Sequence, residues 1–492
     1  MAEFELECAQ GRLRGITDSG LNRFYGIPYA AAPVGARRFR TPEPPAEWSG
    51  VRDATRKGPN APQVNRTFPG LDATGFIGEG WRAGDDYLCL NIWTADPKGK
   101  APVMVFIHGG AFIAGTGDAP AYDGSGFARD GIVCVTINYR MGIEGFLPLE
   151  GADTNLGLRD QIAALKWVKA HIASFGGDPD NVTVFGESAG AMSIANLLGS
   201  PCAKGLFRRA IIESGHGRML HSRACMERVG TMLAELLAVP LTAQGFALRS
   251  LEECAKAVDA VSQPGVIADM REANGLDPAF GLSKFLPVLG DDVIPVSTDA
   301  AIAAGAGAEV ELLIGSNREE MNIYFVPPGI CDLNDAMMAK FLLGQVYPSA
   351  EEALLAYGLG KGEKPGMALT AAMSDLVFRQ PVRDFALAHR GRTHVYEFGW
   401  RSPAFHGRLG ACHALELPFV FDTLSTCSGS QGLVGETAPQ ELATHVHSLW
   451  VGFARDGRLP WPEFDADSRQ VYRLEEGTSA SEDEFPAAQL KV

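Results

Sequence analysis

The sequence predicts an α/β protein with a mostly parallel central sheet covered by helices on both faces. Three observations carry this. Short apolar runs alternate with helical stretches along the chain. The runs are nearly unbroken by polar residues, as expected of strands buried on both faces. One of them, at 181–185, leads into a turn bracketed by glycines and then into a helix. Strand and helix in repeated alternation build a parallel sheet.

The N-terminal ~100 residues are rich in Pro and Gly and read as an irregular wrap with a small edge sheet. "PVMVFIHG" (102–109) and "GIVCVTINY" (131–139) read as buried strands. "LRDQIAALKWVKAHIASFGG" (158–177) reads as a helix. Its Ile162, Leu165, Val168 and Ile172 fall near one face, and Gly176 with Gly177 supply the stop. "NVTVF" (181–185) is a strand and "AGAMSIANLL" (189–198) a helix. Further strands are expected at "RAIIES" (209–214), "VELLIG" (310–315) and "HVYEFGW" (394–400). No repeat or low-complexity linker divides the chain. Residues 1–492 are therefore expected to form one domain. Its core sheet draws on about 100–220, 310–320 and 394–475, with helical insertions at about 221–305 and 330–392.

Composition bounds the function. The chain has 492 residues, 46% hydrophobic and 21% charged, with a formal charge of −16. Phosphate backbones would be repelled, so nucleic acid is not expected as a partner. The start, "MAEFELECAQ", lacks the basic and apolar regions of a signal peptide. The most apolar run is broken by His108 and two glycines and is too short to span a membrane. Nine cysteines at irregular spacings, with no C-x-x-C, make neither a disulfide framework nor a zinc site. A reducing, cytoplasmic setting is expected, although a secreted form with its leader removed would read the same. No metal or cofactor is expected, and a monomer is.

Gly186-Glu187-Ser188-Ala189-Gly190 fits G-x-S-x-G. With 57 glycines in the chain, chance supplies about 0.3–0.5 such matches, so context decides. A strand precedes the pattern and a helix follows it. The glycines let the sharp turn pack where a Cβ would clash, and the serine is held strained at the top of the sheet. A hydroxyl nucleophile then needs a base and donors for the oxyanion. The donors are expected from the Ala189 N–H and from Gly110 and Ala111 in "IHGGAFIAG" (107–115), directly after a strand. The order Ser, acid, His places the base downstream. His413 in "GACHALELPFVF" follows the strand ending near Trp400, with His406 its nearest competitor. The acid is Glu319 or Glu320, just past the strand at 310–315, and spacing does not separate them.

These stretches resemble the type-B carboxylesterases, the family of cholinesterases and bacterial p-nitrobenzyl esterases. The likeness runs from "FYGIPYAAAPVGARRFRTPEPPAEWSGVRDATRKGP" (24–59) through "DDYLCLNIW" (85–93), "IHGGAF" (107–112) and "FGGDPDNVTVFGESAGA" (175–191). It continues to "GACHALELPFVF" (410–421) and "WVGFARDGRLPWPEF" (450–464). It implies an α/β-hydrolase fold whose helical insertions form an active-site gorge. It also implies hydrolysis of carboxylic esters through an acyl-enzyme. By motif Ser188 is the nucleophile, His413 the base and Glu320 the acid, with Gly110, Ala111 and Ala189 as oxyanion donors. Glu187 precedes the nucleophile as in cholinesterases, and Ser214 matches a buried serine near the acid–histidine pair.

Three departures refine the expectation. The family's cysteine pair is replaced by Ala61 and Tyr87, and Cys89 has no partner at 61. Ile323 and Tyr324 stand where cholinesterases cage a quaternary ammonium with aromatics, so a choline ester is not the expected substrate. His216 and Arg218 follow "ESG"; facing the pocket, they would admit an acyl group bearing a carboxylate. Facing away, they are structural. Phe112 and Tyr324, with Trp81 and Tyr122, are the candidate aromatic walls. Asp375 and Arg140 read as internal ion-pair residues. Alternatives are the same machinery on a carbamate, amide or natural-product polyester with carboxylated acyl groups, and a non-catalytic adhesion or scaffold module. The intact Ser, Glu and His set opposes the last.

Overall fold

Thirteen strands join into one sheet in the computed structural model, which describes residues 2–266 and 268–490. In chain order they are β1 (Ala2–Cys8), β2 (Gly11–Asp18), β3 (Leu21–Pro28), β4 (Val51–Asp53) and β5 (Cys89–Thr94). Then come β6 (Ala101–Ile107), β7 (Val133–Ile137), β8 (Gly177–Glu187), β9 (Arg209–Glu213), β10 (Glu311–Asn317) and β11 (Thr393–Phe398). β12 (Gln470–Arg473) and β13 (Thr478–Ser481) close the edge. Their spatial order is β1-β2-β3-β5-β7-β6-β8-β9-β10-β11-β12-β13, with β4 beside β2. The run from β7 to β12 is parallel throughout. β5 to β7 are buried at nearly every position, as strands covered on both faces must be.

The chain leaves β6 in one direction to reach β7 and then jumps back over it to β8. The strand order therefore reverses between β6 and β8. The crevice beyond the carboxyl ends of such a pair is where open α/β sheets bind ligands. Both the loop at 108–115 and Ser188 emerge there.

The expected helices form at Leu156–His171 and Ala189–Gly199. The first ends in a 3-10 turn, Ile172–Phe175, and stops at Gly176, whose φ of 78° favours glycine. The family resemblance's helical insertions appear as Arg223–Leu237, Ala243–Ala247 and Leu251–Ser262, and again between Ala336 and Ala388. Within the second lies a π-turn, Asp375–Arg379, between helices Pro365–Ser374 and Gln380–Ala388.

Two expectations need correction. The N-terminal strands are not a separate edge sheet. β1, β2, β3 and β5 form an antiparallel meander that pairs with β7 and extends the main sheet. The first insertion is not helical throughout: the described residues between 263 and 297 are irregular. Pro264, Gly275, Gly281, Pro287, Gly290 and Pro295 punctuate that stretch and stop helix propagation. All nine cysteines are free, and eight of them are buried. Among the described residues no helix is long and apolar enough to cross a membrane.

Candidate active site

Ser188 is the residue between β8 and the helix Ala189–Gly199. Its backbone is forced into φ 54°, ψ −123°, a conformation that L-residues adopt only under constraint. The constraint is visible. A Cβ on Gly186 would come within 2.5 Å of the Ile107 carbonyl oxygen, and one on Gly190 would overlap the same atom. One on Gly109 would lie 3.0 Å from the Ser188 Cβ. The turn closes because β6 sits where those side chains would be. The Ser188 N–H donates to the Glu213 carbonyl at 3.0 Å, which ties the turn to β9.

The loop after β6 is fixed through its carbonyls. Tyr139 Oη donates to the His108 carbonyl (2.8 Å), Ser283 Oγ to that of Ala111 (2.8 Å) and the Gly142 N–H to that of Phe112 (2.7 Å). Gln63 clasps Gly115 from both sides, accepting from its N–H at 2.7 Å and donating to its carbonyl at 2.8 Å. Gly110 has φ 113°, where a Cβ would strike the Ala114 carbonyl, and Ala111 and Phe112 are left-handed at 56° and 62°. Among the described residues the N–H groups of Gly110, Ala111 and Ala189 meet no protein acceptor. All three residues line the cavity that holds Ser188.

His413 enters this cavity from the loop after β11. Its Nδ1 lies 2.6 Å from Glu320 Oε2, and its N–H donates to the Glu320 carbonyl at 3.2 Å. The other Glu320 oxygen accepts from Ser214 Oγ (2.6 Å) and the Asn317 N–H (2.7 Å), so the carboxylate is held from three sides. Glu319, which spacing alone left open, turns outward. It pairs with Arg401 and accepts from the Ala411 N–H at 2.9 Å. His406 is exposed and does not line the cavity.

The second ring nitrogen, Nε2, lies 2.9 Å from Glu187 Oε1 but off hydrogen-bond alignment, and makes no hydrogen bond to Ser188. Burial opposes a charged imidazole here. The carboxylates of Glu187 and Glu320 and the Tyr324 hydroxyl overcome it and raise the His413 pKa well above the usual value. Burial likewise raises the Glu187 carboxyl, with the His413 charge acting against it. The ring is packed between Phe378 (centroids 4.6 Å apart) and Tyr324 (5.6 Å).

The cavity, about 810 Å³ including its opening to solvent, is mainly apolar. Of the candidate aromatic walls, Phe112, Tyr122 and Tyr324 line it and Trp81 does not. His216 and Arg218 do not line it either. His216 Nε2 donates to the Val377 carbonyl (2.7 Å), and Nδ1 accepts from the Arg218 N–H (3.1 Å). Burial and the Arg218 charge lower its pKa to about 4, so the ring is neutral. Arg218 turns out to pair with Asp299 (2.8 Å) and Asp384 (2.9 Å). The idea that this pair faces the pocket is corrected: both side chains are already satisfied away from the cavity, His216 within the fold and Arg218 toward solvent. Arg140 pairs with Asp160, and Asp375 with Arg379, inside the fold.

Sequence reasoning missed part of the wall: Arg66, Phe76, Met219, Leu282, Leu286 and Phe378. Arg66 carried no signal, sitting among polar Gln63, Asn65 and Thr67. A different cluster, His221, Cys225 and Glu272, brings three metal-type donors together, but none of them lines the cavity. Glu272 is already held by His221 Nδ1 and the Ser222 N–H.

A model of the carboxylesterase family matches residues 2–492. The chain is 37% identical over 482 residues to a para-nitrobenzyl esterase of Bacillus subtilis, covering 94% of this chain and 93% of that one. It is 33% identical over 488 residues to a phenmedipham hydrolase of Pseudarthrobacter oxydans, covering 96% and 95%. A solved PNB esterase structure superposes with a TM-score of 0.83 at 34% identity, covering 99% of both chains. A nucleophile-type elbow, a carboxylate-held histidine and unsatisfied N–H donors thus meet in a fold shared with ester-cleaving enzymes along its full length. The chain belongs to the carboxylesterase family and is a carboxylic ester hydrolase.

Proposed function

We propose that the chain hydrolyses carboxylic esters through an acyl-enzyme on Ser188, as one carboxylesterase domain. The observation that carries this is the 2.6 Å contact of His413 with Glu320 in the same cavity as the strained Ser188. Ser188 Oγ attacks the ester carbonyl as His413 Nε2 takes its proton. Glu320 holds Nδ1–H, which fixes the tautomer and stabilises the imidazolium. The carbonyl oxygen becomes an oxyanion against the N–H groups of Gly110, Ala111 and Ala189. Losing one such donor costs ~10²–10³ in turnover. As the tetrahedral species collapses, His413 returns the proton to the leaving alkoxide. Water then repeats the attack on the acyl-enzyme, with His413 again as base, and the acid departs.

In the resting protein Nε2 leans on Glu187 rather than on Ser188. Catalytic hydrogen bonds are often long or misaligned before substrate binds. The ring must also shed a proton that its carboxylate neighbours hold, so activity rises with pH as His413 becomes neutral.

The test is p-nitrophenyl acetate hydrolysis followed on the millisecond scale. A burst of p-nitrophenol equal to the enzyme concentration is expected. Ser188→Ala should abolish it and lower turnover by ~10⁴ or more. Full turnover in that variant would overturn the assignment.

A further inference from the structure

Apart from its tyrosines, the described cavity wall carries three ionisable side chains: Glu187, His413 and Arg66. Glu187 and His413 face each other. Arg66 has no such partner. Among the described residues no carboxylate lies within ion-pair distance of it, whereas Arg52 and Arg82 of the same N-terminal wrap hold Asp86 and Asp118. Arg66 is a half-buried residue left unpaired although the chain carries 59 acidic residues that could have met it. An anion arriving in the cavity would find its charge free to pair.

Its position is also defined. Ser188 and His413 are buried at the cavity floor. Tyr324 packs on His413, and Phe68 packs on Tyr324 with centroids 6.5 Å apart. Arg66 is two residues from Phe68, half-buried, between exposed Asn65 and Thr67. Its charge is felt at the Tyr324 hydroxyl. From the buried His413 the wall thus passes through Tyr324 to the half-buried Phe68 and Arg66.

We infer that Arg66 is a specificity-determining residue that receives the carboxylate of an ester whose outer arm is anionic. The inference rests on the reading that Ser188 is acylated in this cavity. With a net charge of −16, the field of the whole protein disfavours an anionic ester. The local cation in the cavity wall reverses that sign where the substrate binds. The carboxylate is drawn to the guanidinium while the apolar stem lies against Phe68 and Phe76. Recognition of a carboxylated arm therefore belongs to the N-terminal wrap and not to Arg218.

The experiment measures kcat/KM for matched pairs of esters on each preparation. On the acyl arm the pair is p-nitrophenyl hydrogen glutarate and p-nitrophenyl pentanoate. On the alcohol arm it is para-carboxyphenyl acetate and para-carbamoylphenyl acetate. The anionic-to-neutral ratio is internal, so a lower folded fraction or a general loss of activity cancels. Arg66→Gln should lower the ratio about tenfold on one arm, mainly through KM, and Arg66→Glu should lower it further. Arg66→Lys should restore part of it. About 0.5 M NaCl should bring the wild-type ratio toward that of Arg66→Gln. An identical ratio in wild type and Arg66→Glu on both arms overturns the inference. A Ser188→Ala enzyme that still turned over the neutral esters would instead overturn the reading it rests on.

Discussion

Two buried groups of carboxylates flank β10, and they are built on opposite plans. Around His413 stand Glu187, Glu213, Glu320 and Glu416, all buried, and among the described residues no arginine or lysine pairs with any of them. Glu213 accepts from the Trp450 indole at 2.8 Å, and Glu416 from the Asn317 amide. Across the strand, Glu397, Glu475 and Glu482 are matched by Arg318, Arg379 and Arg383 at 2.6–2.9 Å. Neighbouring residues of β10 serve the two sides. The Asn317 side-chain amide donates to Glu416, and Ser316 Oγ accepts from Arg383. The pleat of one strand thus separates them. Burial pushes Glu416 up to about 8, helped by Glu187 and Glu320. Burial pushes Glu397 the same way, but three arginines overcome it and hold the carboxyl at about 2. Glu397 is held ionised where arginines match its charge, and Glu416 is pushed toward its neutral form where none does.

Exchanging charge on each side tests that contrast. Glu320→Gln should have the largest effect, a fall in kcat of ~10⁴, because the amide no longer holds the required tautomer. Its melting temperature should change little, since one charge leaves a cluster that has too many. Arg379→Met should do the reverse. Taking from Asp375 its ion-pair partner, and from Glu397 one of its three arginines, should cost about 3 kcal/mol in urea unfolding, with kcat per titrated active site changing far less than in Glu320→Gln. Equal damage to kcat in both variants would break the contrast.

Smaller effects concern protons. Glu187→Gln removes a carboxylate that stabilises the imidazolium, so the acid limb of kcat/KM should move to lower pH. An unmoved limb would mean that Glu187 does not set the His413 proton affinity. Glu416→Gln reads stability. Its carboxyl is raised on folding, so its contribution is complete below about 4.5 and is lost as pH rises toward about 8. Glu397 is lowered, so its contribution is present above 4.5 and is lost as pH falls through about 2. Thermal melts from pH 5 to 8 should therefore fall more steeply in wild type than in Glu416→Gln.

What the sequence reveals of this site follows from how local each feature is. The elbow was legible because its strand, glycines, serine and helix lie within twenty residues. His413 and Glu320 needed chain order and a family likeness, since their contact joins residues 93 apart. The outward turn of Arg218 is set by Asp299 and Asp384, which no nearby spacing announces. The N-terminal strands read as strands, but their fusion to the main sheet depends on β5 finding β7. The irregular wall around Leu282 and Leu286 has no period to detect. Glu213 and Glu416 look like surface acids until the fold buries them.

The π-turn at Asp375–Arg379 carries a further consequence. Such a turn holds one residue more than the α-helical turn it replaces. Phe378, which packs on His413, sits inside it. Deleting a single residue would remove the extra residue of the turn, leaving a helical path from Pro365 to Ala388 that is kinked only at Pro381, which has no N–H to donate. Each side chain beyond the deletion would swing by about 100° around the axis. Arg379 and Arg383 would swing with Phe378, so the histidine wall and the arginine network would shift together. In evolutionary terms, this part of the cavity is tuned by chain length as well as by residue identity, and a one-residue indel there would couple a change of substrate pocket to a loss of stability.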